Sequence, residues 1–434
     1  MEPGRTGQRG IAPAGRRGGG RTLSAQHPAI ARHLSTHPAA AWRAHFSKDA
    51  EKMNVGILTF HFSDNYGAAL QAHALRRWLT EQGHHASFID YRPAHIEHGG
   101  RLSAPTSPAK IKANLKVVYL AVSSFIHQHF GHRGQKEKFV RFREHFLGVR
   151  SDAAPTDNGA SLAAAQAYDL IVAGSDQIWS PSQHFGFDPN YFLSFAHAFP
   201  ARKISYAASF GRDRVSTAEA AQLPRLLRNF DAISVREASG ITLVERATGH
   251  RPANVPDPTL LHSHYPELTE GATSAPGDPY IFCYGLRSPD NIRQTADVVS
   301  KQLNCPVLSP HNPHRRWSEI GTTVYPDPGE WVSLVKNSRF VVTNSFHGTV
   351  FALLLRKPFI VAGLTGEKAA ANARATHLLR AVGLENRFAP SFSAQNVEAL
   401  MASEIDWAAV DARLAELRQA GNAFLSSQLK AVFP

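Results

Sequence analysis

The chain has 434 residues, 43% of them hydrophobic and 19% charged, which is the make-up of an ordinary globular protein with room for two or three full cores. Its two cysteines, Cys283 and Cys305, argue against a disulfide-framed secreted module. Neither stands near metal-ligand residues at zinc spacing, and no apolar run approaches the roughly 20 residues of a membrane helix. The formal charge of +12 is uneven, with 9 Lys/Arg against 3 Asp/Glu in residues 1–52 and 38 against 32 in the rest; a mildly basic body suits anionic small substrates and requires no nucleic acid.

Residues 1–52 are rich in Gly, Arg, Ala and Pro and show no period of 2 or 3.6. They read as a disordered basic tail, or as sequence upstream of a true start at Met53. Val55 to Phe60 is a near-continuous apolar strand of the kind a parallel sheet buries on both faces. A polar loop, His61 to Gly67, leads into a helix over 68–81 that Gly83 closes. A second strand covers 86–91. Residues 93–150 read as a peripheral helical insertion whose two segments, 111–126 and 136–146, are amphipathic and basic; a solvated face is the expectation, with an anionic polymer as the other occupant.

Strands at 168–173, 203–208 and 231–235 follow, each ending in polar residues: Gly174-Ser175-Asp176, Ser209-Phe210-Gly211 and Arg236-Glu237. A helix over 217–229 is interrupted by Pro224. Six prolines between 252 and 279 mark an interdomain link. A second series runs through a strand at 280–284, a helix at 291–303, a strand at 306–309 and a helix at 329–337, the last opened by the capping-box pair Asp327 and Glu330. Terminal helices are expected over 376–382 and 408–429. Strands alternating with helices mean an α/β protein with doubly wound parallel sheets. The expected parts are a first Rossmann-like domain over 53–265, a second over 275–405, and a C-terminal helix in 406–434 packing back on the first.

The stretch Asn344-Ser345-Phe346-His347-Gly348-Thr349 lies between a β-branched strand and an apolar helix. The first N–H groups of that helix lack intrahelical partners and favour an anion. His347 brings an imidazole able to move a proton near neutral pH, and Gly348 lets a ligand approach the backbone. Asn65, Gly67, Ser175, Asp176 and Arg236 end other strands, where α/β sheets place their ligands. Arg236 offers a planar fork to a carboxylate or phosphate, and Asp176 is placed to orient a hydroxyl, act as a base or cap a turn. No metal-ligand cluster is visible, so no metal or resident cofactor is expected.

Six blocks carry a resemblance: Asp64-Asn65-Tyr66-Gly67-Ala68-Ala69-Leu70-Gln71, Gly174-Ser175-Asp176-Gln177-Ile178-Trp179, Ser205-Tyr206-Ala207-Ala208-Ser209-Phe210-Gly211, Ile233-Ser234-Val235-Arg236-Glu237, Asp257-Pro258-Thr259-Leu260-Leu261, and Asn344 to Thr349. In that order they resemble the polysaccharide pyruvyl transferase family, over about residues 53–390. The resemblance implies a fold like the two-domain GT-B glycosyltransferases, with two Rossmann-like domains facing a cleft. It implies transfer of pyruvate from phosphoenolpyruvate to a saccharide of a cell-surface polysaccharide or its lipid-linked precursor, as a ketal across two hydroxyls. It places Arg236 and His347 where the family has its phosphoenolpyruvate-binding and catalytic residues. Asp176 joins them as a catalytic candidate, and Asn65, Gly67, Ser175, Asn344, Ser345, Gly348 and Thr349 are candidate substrate contacts. The setting expected is the cytoplasm, with peripheral membrane contact at most and no nucleic-acid partner. Two other readings stay open: a nucleotide-sugar-dependent glycosyltransferase of the same fold, against which Glu367 stands without a closely spaced second glutamate, and a non-catalytic sugar- or nucleic-acid-binding protein resting on the basic tail and insertion.

Overall fold

A computed structural model describes residues 52–93, 133–149, 158–182, 186–270, 277–286, 290–311 and 320–433, with isolated positions between 96 and 122. The expected disordered tail, apart from Lys52, and most of the expected helix over 111–126 lie outside these residues.

The first sheet is built from β1 (Asn54–Leu58), β2 (His85–Phe88), β3 (Leu170–Ala173) and β4 (Arg202–Ser205) in the order β2-β1-β3-β4, all parallel. β1 and β3 pair from Val55↔Leu170 to Leu58↔Ala173, and every residue of β3 is buried. This is why both strands read as unbroken apolar runs. A two-stranded parallel ribbon, β5 (Ser234–Val235) and β6 (Ala253–Asn254), continues past β4 through the bridges Ile204↔Ala232 and Ala208↔Val235. The expected helix over 217–229 is two short ones, Thr217–Ala220 and Leu223–Leu227, with Pro224 in the first turn of the second. That is where a proline costs a helix no hydrogen bond.

The second sheet has β7 (Ile281–Tyr284), β8 (Val307–Pro310), β9 (Thr322–Val324), β10 (Phe340–Thr343), β11 (Phe359–Ala362) and β12 (Phe388–Ala389) in the order β12-β11-β10-β7-β8-β9, again all parallel. The α/β class with parallel sheets is therefore the one observed.

Helix α1 (Tyr66–Glu81) starts where Asn65 Oδ1 accepts from the Ala68 N–H at 3.1 Å. It gives way to Gly83, whose φ of +88° suits glycine. Helix α2 (Arg133–Phe142) runs on through Arg143–Leu147 to a left-handed Gly148. The expected solvated face is present, with Lys136, Glu137, Arg141 and Glu144 exposed, and the other face is anchored. Phe139, Phe142 and Leu147 are buried, the Lys138 ammonium lies 2.7 Å from Glu330, and Arg143 lies 2.6 Å from Asp64. Phenylalanines at 139 and 142 form an apolar edge among the lysines. That edge packs on Tyr66, which in turn stacks on Trp331 of α3 (Pro328–Asn337) at 5.7 Å. Helix α3 opens with the full capping box: Asp327 accepts from the Glu330 N–H at 2.7 Å and Glu330 accepts from the Asp327 N–H at 2.8 Å.

Helix α4 (Phe346–Leu354) follows β10 and α5 (Ala373–Val382) follows β11. Helix α6 (Trp407–Lys430) packs on the first sheet, where Leu425 and Leu429 join Val55, Leu75 and Ile204 in one core. Trp78 Nε1 donates to Asn422 at 2.8 Å and Arg202 to Gln428 at 2.7 Å across the same contact.

Candidate active site

The turn after β10 is held by its own hydroxyls. Thr343 Oγ1 donates to the Tyr284 carbonyl at 2.7 Å and accepts from the Ser345 N–H at 3.0 Å. Asn344 Oδ1 accepts from the Leu286 N–H at 2.9 Å. Ser345 caps α4, its Oγ accepting from the Gly348 N–H at 3.4 Å. Thr349 is fully buried and donates to the Ser345 carbonyl at 3.0 Å. Gly348 is needed here because a Cβ would stand 2.2 Å from Thr343 Oγ1. Of these residues Ser345 reaches the cavity described below, whereas Asn344, Gly348 and Thr349 shape the turn.

His347 is buried at 6% exposure and lies against α1. A Cβ on Gly67 would meet its Nδ1 at 2.1 Å, so the glycine makes room for the imidazole rather than for a substrate. On its other side, His347 Nε2 is 3.7 Å from Asp257 Oδ2 and makes no hydrogen bond. Asp257 sits just past β6 and takes charge from two sides, since Arg236 Nη1 donates to the same Oδ2 at 2.5 Å. Burial pushes the Asp257 carboxyl up, but His347 and Arg236 outweigh it and hold the group well below the usual carboxylate range.

Arg236 is surrounded. Its Nη2 donates to Asp176 at 3.2 Å, its Nε is 3.6 Å from Glu237, and its guanidinium lies over the Phe346 ring at 4.9 Å. Burial lowers its proton affinity and the three carboxylates more than restore it. Glu237, which accepts from the Phe210 N–H at 3.2 Å, is pushed up by burial, with Arg236 the chief opposing influence. Asp176 has φ +75°, a left-handed conformation that aspartate tolerates, and also accepts from the Gln177 N–H at 2.8 Å. Ser175 is fully buried behind it, its Oγ donating to the Ala207 carbonyl at 2.9 Å and its N–H to Gln71 at 3.2 Å.

Of these groups Asp176 and His347 line an open cavity of about 190 Å³, and Arg236, Glu237, Asp257 and Ser175 stand outside its lining. Asn65 and Ala68 bring the N-terminus of α1 to it, and Ser345, Phe346 and His347 bring that of α4. Asp176, Gln177 and Arg374 complete the polar wall. Arg374 comes from α5 and also borders a second pocket beside Arg236, Glu237 and Asp257. With its amide carbonyl turned inward, Gln177 accepts from Arg374 Nη1 and Nη2 at 3.0 and 3.3 Å. Burial and the neighbouring Arg236 charge lower the Arg374 proton affinity, and its Nε is buried without a hydrogen bond.

The family model described as polysaccharide pyruvyl transferase matches residues 65–364, a span that holds Asn65, Asp176, Arg236, Asp257 and His347. The chain belongs to the polysaccharide pyruvyl transferase family. Similar solved structures include the glycosyltransferase SnogD from Streptomyces nogalater, at 12% identity over 88% of this chain and 99% of that one, with a TM-score of 0.42. They also include a putative UDP-N-acetylglucosamine 2-epimerase from Listeria monocytogenes, at 13% identity over 86% and 95%, TM-score 0.41. Another is UDP-GlcNAc 2-epimerase from Neisseria meningitidis bound to UDP-GlcNAc, at 9% over 87% and 99%, TM-score 0.42. No curated protein matches the chain in sequence.

In this member of the pyruvyl transferase family, three site residues escaped the reading of the sequence. Asp257 and Glu237 stood inside quoted blocks, but nothing in one dimension pairs either with Arg236. Arg374 lies beyond the matched span in an alanine-rich stretch, and its sequence surroundings carry no signal. Among the described residues no group of three or more His, Cys, Asp and Glu side chains is placed to hold a metal ion.

Proposed function

We propose that the protein transfers pyruvate from phosphoenolpyruvate to a saccharide, forming a ketal across two hydroxyls of a polysaccharide or its lipid-linked precursor, in the cytoplasm. The observation that carries this reading is the convergence of two helix N-termini and one arginine on a single cavity of about 190 Å³. Phosphoenolpyruvate presents a carboxylate and a phosphate, and so needs two anion seats. The starts of α1 and α4 turn their positive dipole ends to the cavity, and Arg374 supplies a full charge.

His347 is the proton-moving group. Its Nε2 faces Asp257 at 3.7 Å, while Nδ1 faces the start of α1. Protonation of the phosphoenolpyruvate methylene carbon gives a methyl group and a cationic centre at C2. One sugar hydroxyl adds there and loses its proton. The C2–O bond to phosphate breaks, and a second hydroxyl closes the ketal as its proton leaves. Inorganic phosphate is the co-product, and no water or redox partner enters the balance. Arg236 acts from behind this wall: both its Nη atoms donate to Asp257 and Asp176, so it fixes the carboxylates rather than gripping the donor.

The test is release of inorganic phosphate from phosphoenolpyruvate by the full chain across a panel of free, polymeric and lipid-linked saccharides. Release that depends on both the acceptor and His347 supports the reading. Turnover of a nucleotide sugar with phosphoenolpyruvate left intact would replace it with glycosyl transfer.

A further inference from the structure

The donor cavity has a smaller neighbour. A pocket of about 40 Å³ shares Phe346 and Arg374 with it, so an occupant of one lies beside an occupant of the other. That volume holds roughly three water-sized groups. The pocket's inner end is buried and charged, formed by Arg236, Glu237 and Asp257 at 6, 3 and 1% exposure. Its mouth is half-exposed, with His377 and Ala381 of α5 and Leu417 of α6 at the rim. Leu260 and Leu378 add apolar surface.

Three polar atoms of the lining residues lack a partner. Arg236 Nε, Glu237 Oε2 and Arg374 Nε are all buried and make no hydrogen bond; the first two stand 3.6 Å apart, too far for one. Buried polar groups are as a rule paired, so these three call for an occupant that both donates and accepts. Charge decides its class. Two guanidiniums, Arg236 and Arg374, stand against two carboxylates, Glu237 and Asp257, so the charges lining the pocket sum to zero. His377 adds none near neutral pH, because burial and the neighbouring Arg380 lower its proton affinity. A neutral group suits this balance better than a second anion. A hydroxyl can donate to Glu237 and accept from an arginine N–H. Hydroxyls carried on an apolar ring face are the chemistry of a saccharide, and Leu260, Leu378 and Leu417 offer that face its contact.

We infer that this pocket is a saccharide subsite, taking the hydroxyl edge of the sugar next to the one being modified. The inference rests on the proposed saccharide acceptor and deepens it, since the protein then reads at least two rings, one at each pocket. The experiment measures saccharide binding in the absence of phosphoenolpyruvate. The full chain is titrated calorimetrically with a panel of methyl pyranosides and with disaccharides that end in the same rings. A disaccharide should bind about tenfold or more tightly than its terminal ring alone. Ala381→Trp, which fills the mouth from α5, should remove that gain at an unchanged Tm and leave single-ring affinity as it was. Should Tm fall, Leu417→Trp closes the same mouth from α6 with the same expected loss. Disaccharides that bind no better than single rings, a panel without any binder, or a gain that survives both fillings would overturn the inference and leave the pocket to ordered water. Intact length-dependent binding without phosphate release from phosphoenolpyruvate would keep the subsite and overturn pyruvyl transfer instead.

Discussion

Asp257 meets Arg236, His347 and Ser175 with one carboxylate oxygen, so its ionisation governs how the site is held together. Its proton affinity is lower folded than unfolded. The stability it contributes is therefore complete above the ordinary carboxylate value of 3.8 and is lost as pH falls below it. Asp257→Asn should cost about 3 kcal/mol at neutral pH, because it leaves a buried guanidinium short of a partner. The gap to wild type in denaturant titrations should close on acidification; a gap that does not change with pH would separate the charge from the effect. Arg236→Lys should be nearly as damaging as Arg236→Ala, since an ammonium cannot reach three carboxylates as a fork does. Its signature is a lowered Tm together with lowered kcat/KM, and a raised KM alone in a fully stable protein would put Arg236 on the donor instead. His347→Ala should lower kcat by about 10²–10⁴, the usual worth of positioned acid–base help. His347→Gln keeps a donor but cannot titrate, so it should stay near the alanine level and lose one limb of the pH profile of kcat/KM. Full recovery in glutamine would leave His347 a seat for phosphate only.

Helices α1 and α4 are the elements that aim the site. Gly67 lets their N-terminal ends approach, with the imidazole lying where a side chain would be. Gly67→Ala therefore sets helix propensity against function. Alanine favours the helix by up to about 1 kcal/mol, yet its Cβ would force His347 to move. Activity should fall toward that of His347→Ala while Tm changes little; wild-type kcat would show that the ring has room to shift. Arg374 belongs to α5, and Arg374→Gln should raise KM for phosphoenolpyruvate about 10- to 100-fold, the worth of one charge-assisted hydrogen bond. An unchanged KM would remove it from the donor seat. Much at this scale was legible in the sequence. The buried strands β1, β3 and β10 announce themselves as apolar runs, and the Asp327–Glu330 cap and the Ser345 start of α4 follow from residue type and spacing. What the apolar face of α2 packs on was not, because nothing in one dimension pairs Phe139 with Tyr66. Gly348 was read as an opening for a ligand, whereas Thr343 stands where its side chain would be.

At the scale of the molecule, the site is assembled from residues as far apart as Asn65 and Arg374, all beyond the carboxyl ends of strands from the two sheets. The positions of Asp176, Arg236 and His347 could be read because strand ends are where open α/β sheets concentrate chemistry. Their mutual arrangement could not be, since only the folded chain shows that Asp257 lies between Arg236 and His347. The Tyr66–Trp331 stack and the Lys138–Glu330 pair tie elements of the two series together. The most direct test of pyruvyl transfer follows phosphoenolpyruvate labelled with ¹³C at C2 by NMR during incubation with the full chain and an acceptor saccharide. A quaternary ketal carbon should appear on the saccharide in step with inorganic phosphate, and neither should appear with His347→Ala. Label that stays in phosphoenolpyruvate, or passes only to free pyruvate, across acceptors that the protein demonstrably binds would contradict it.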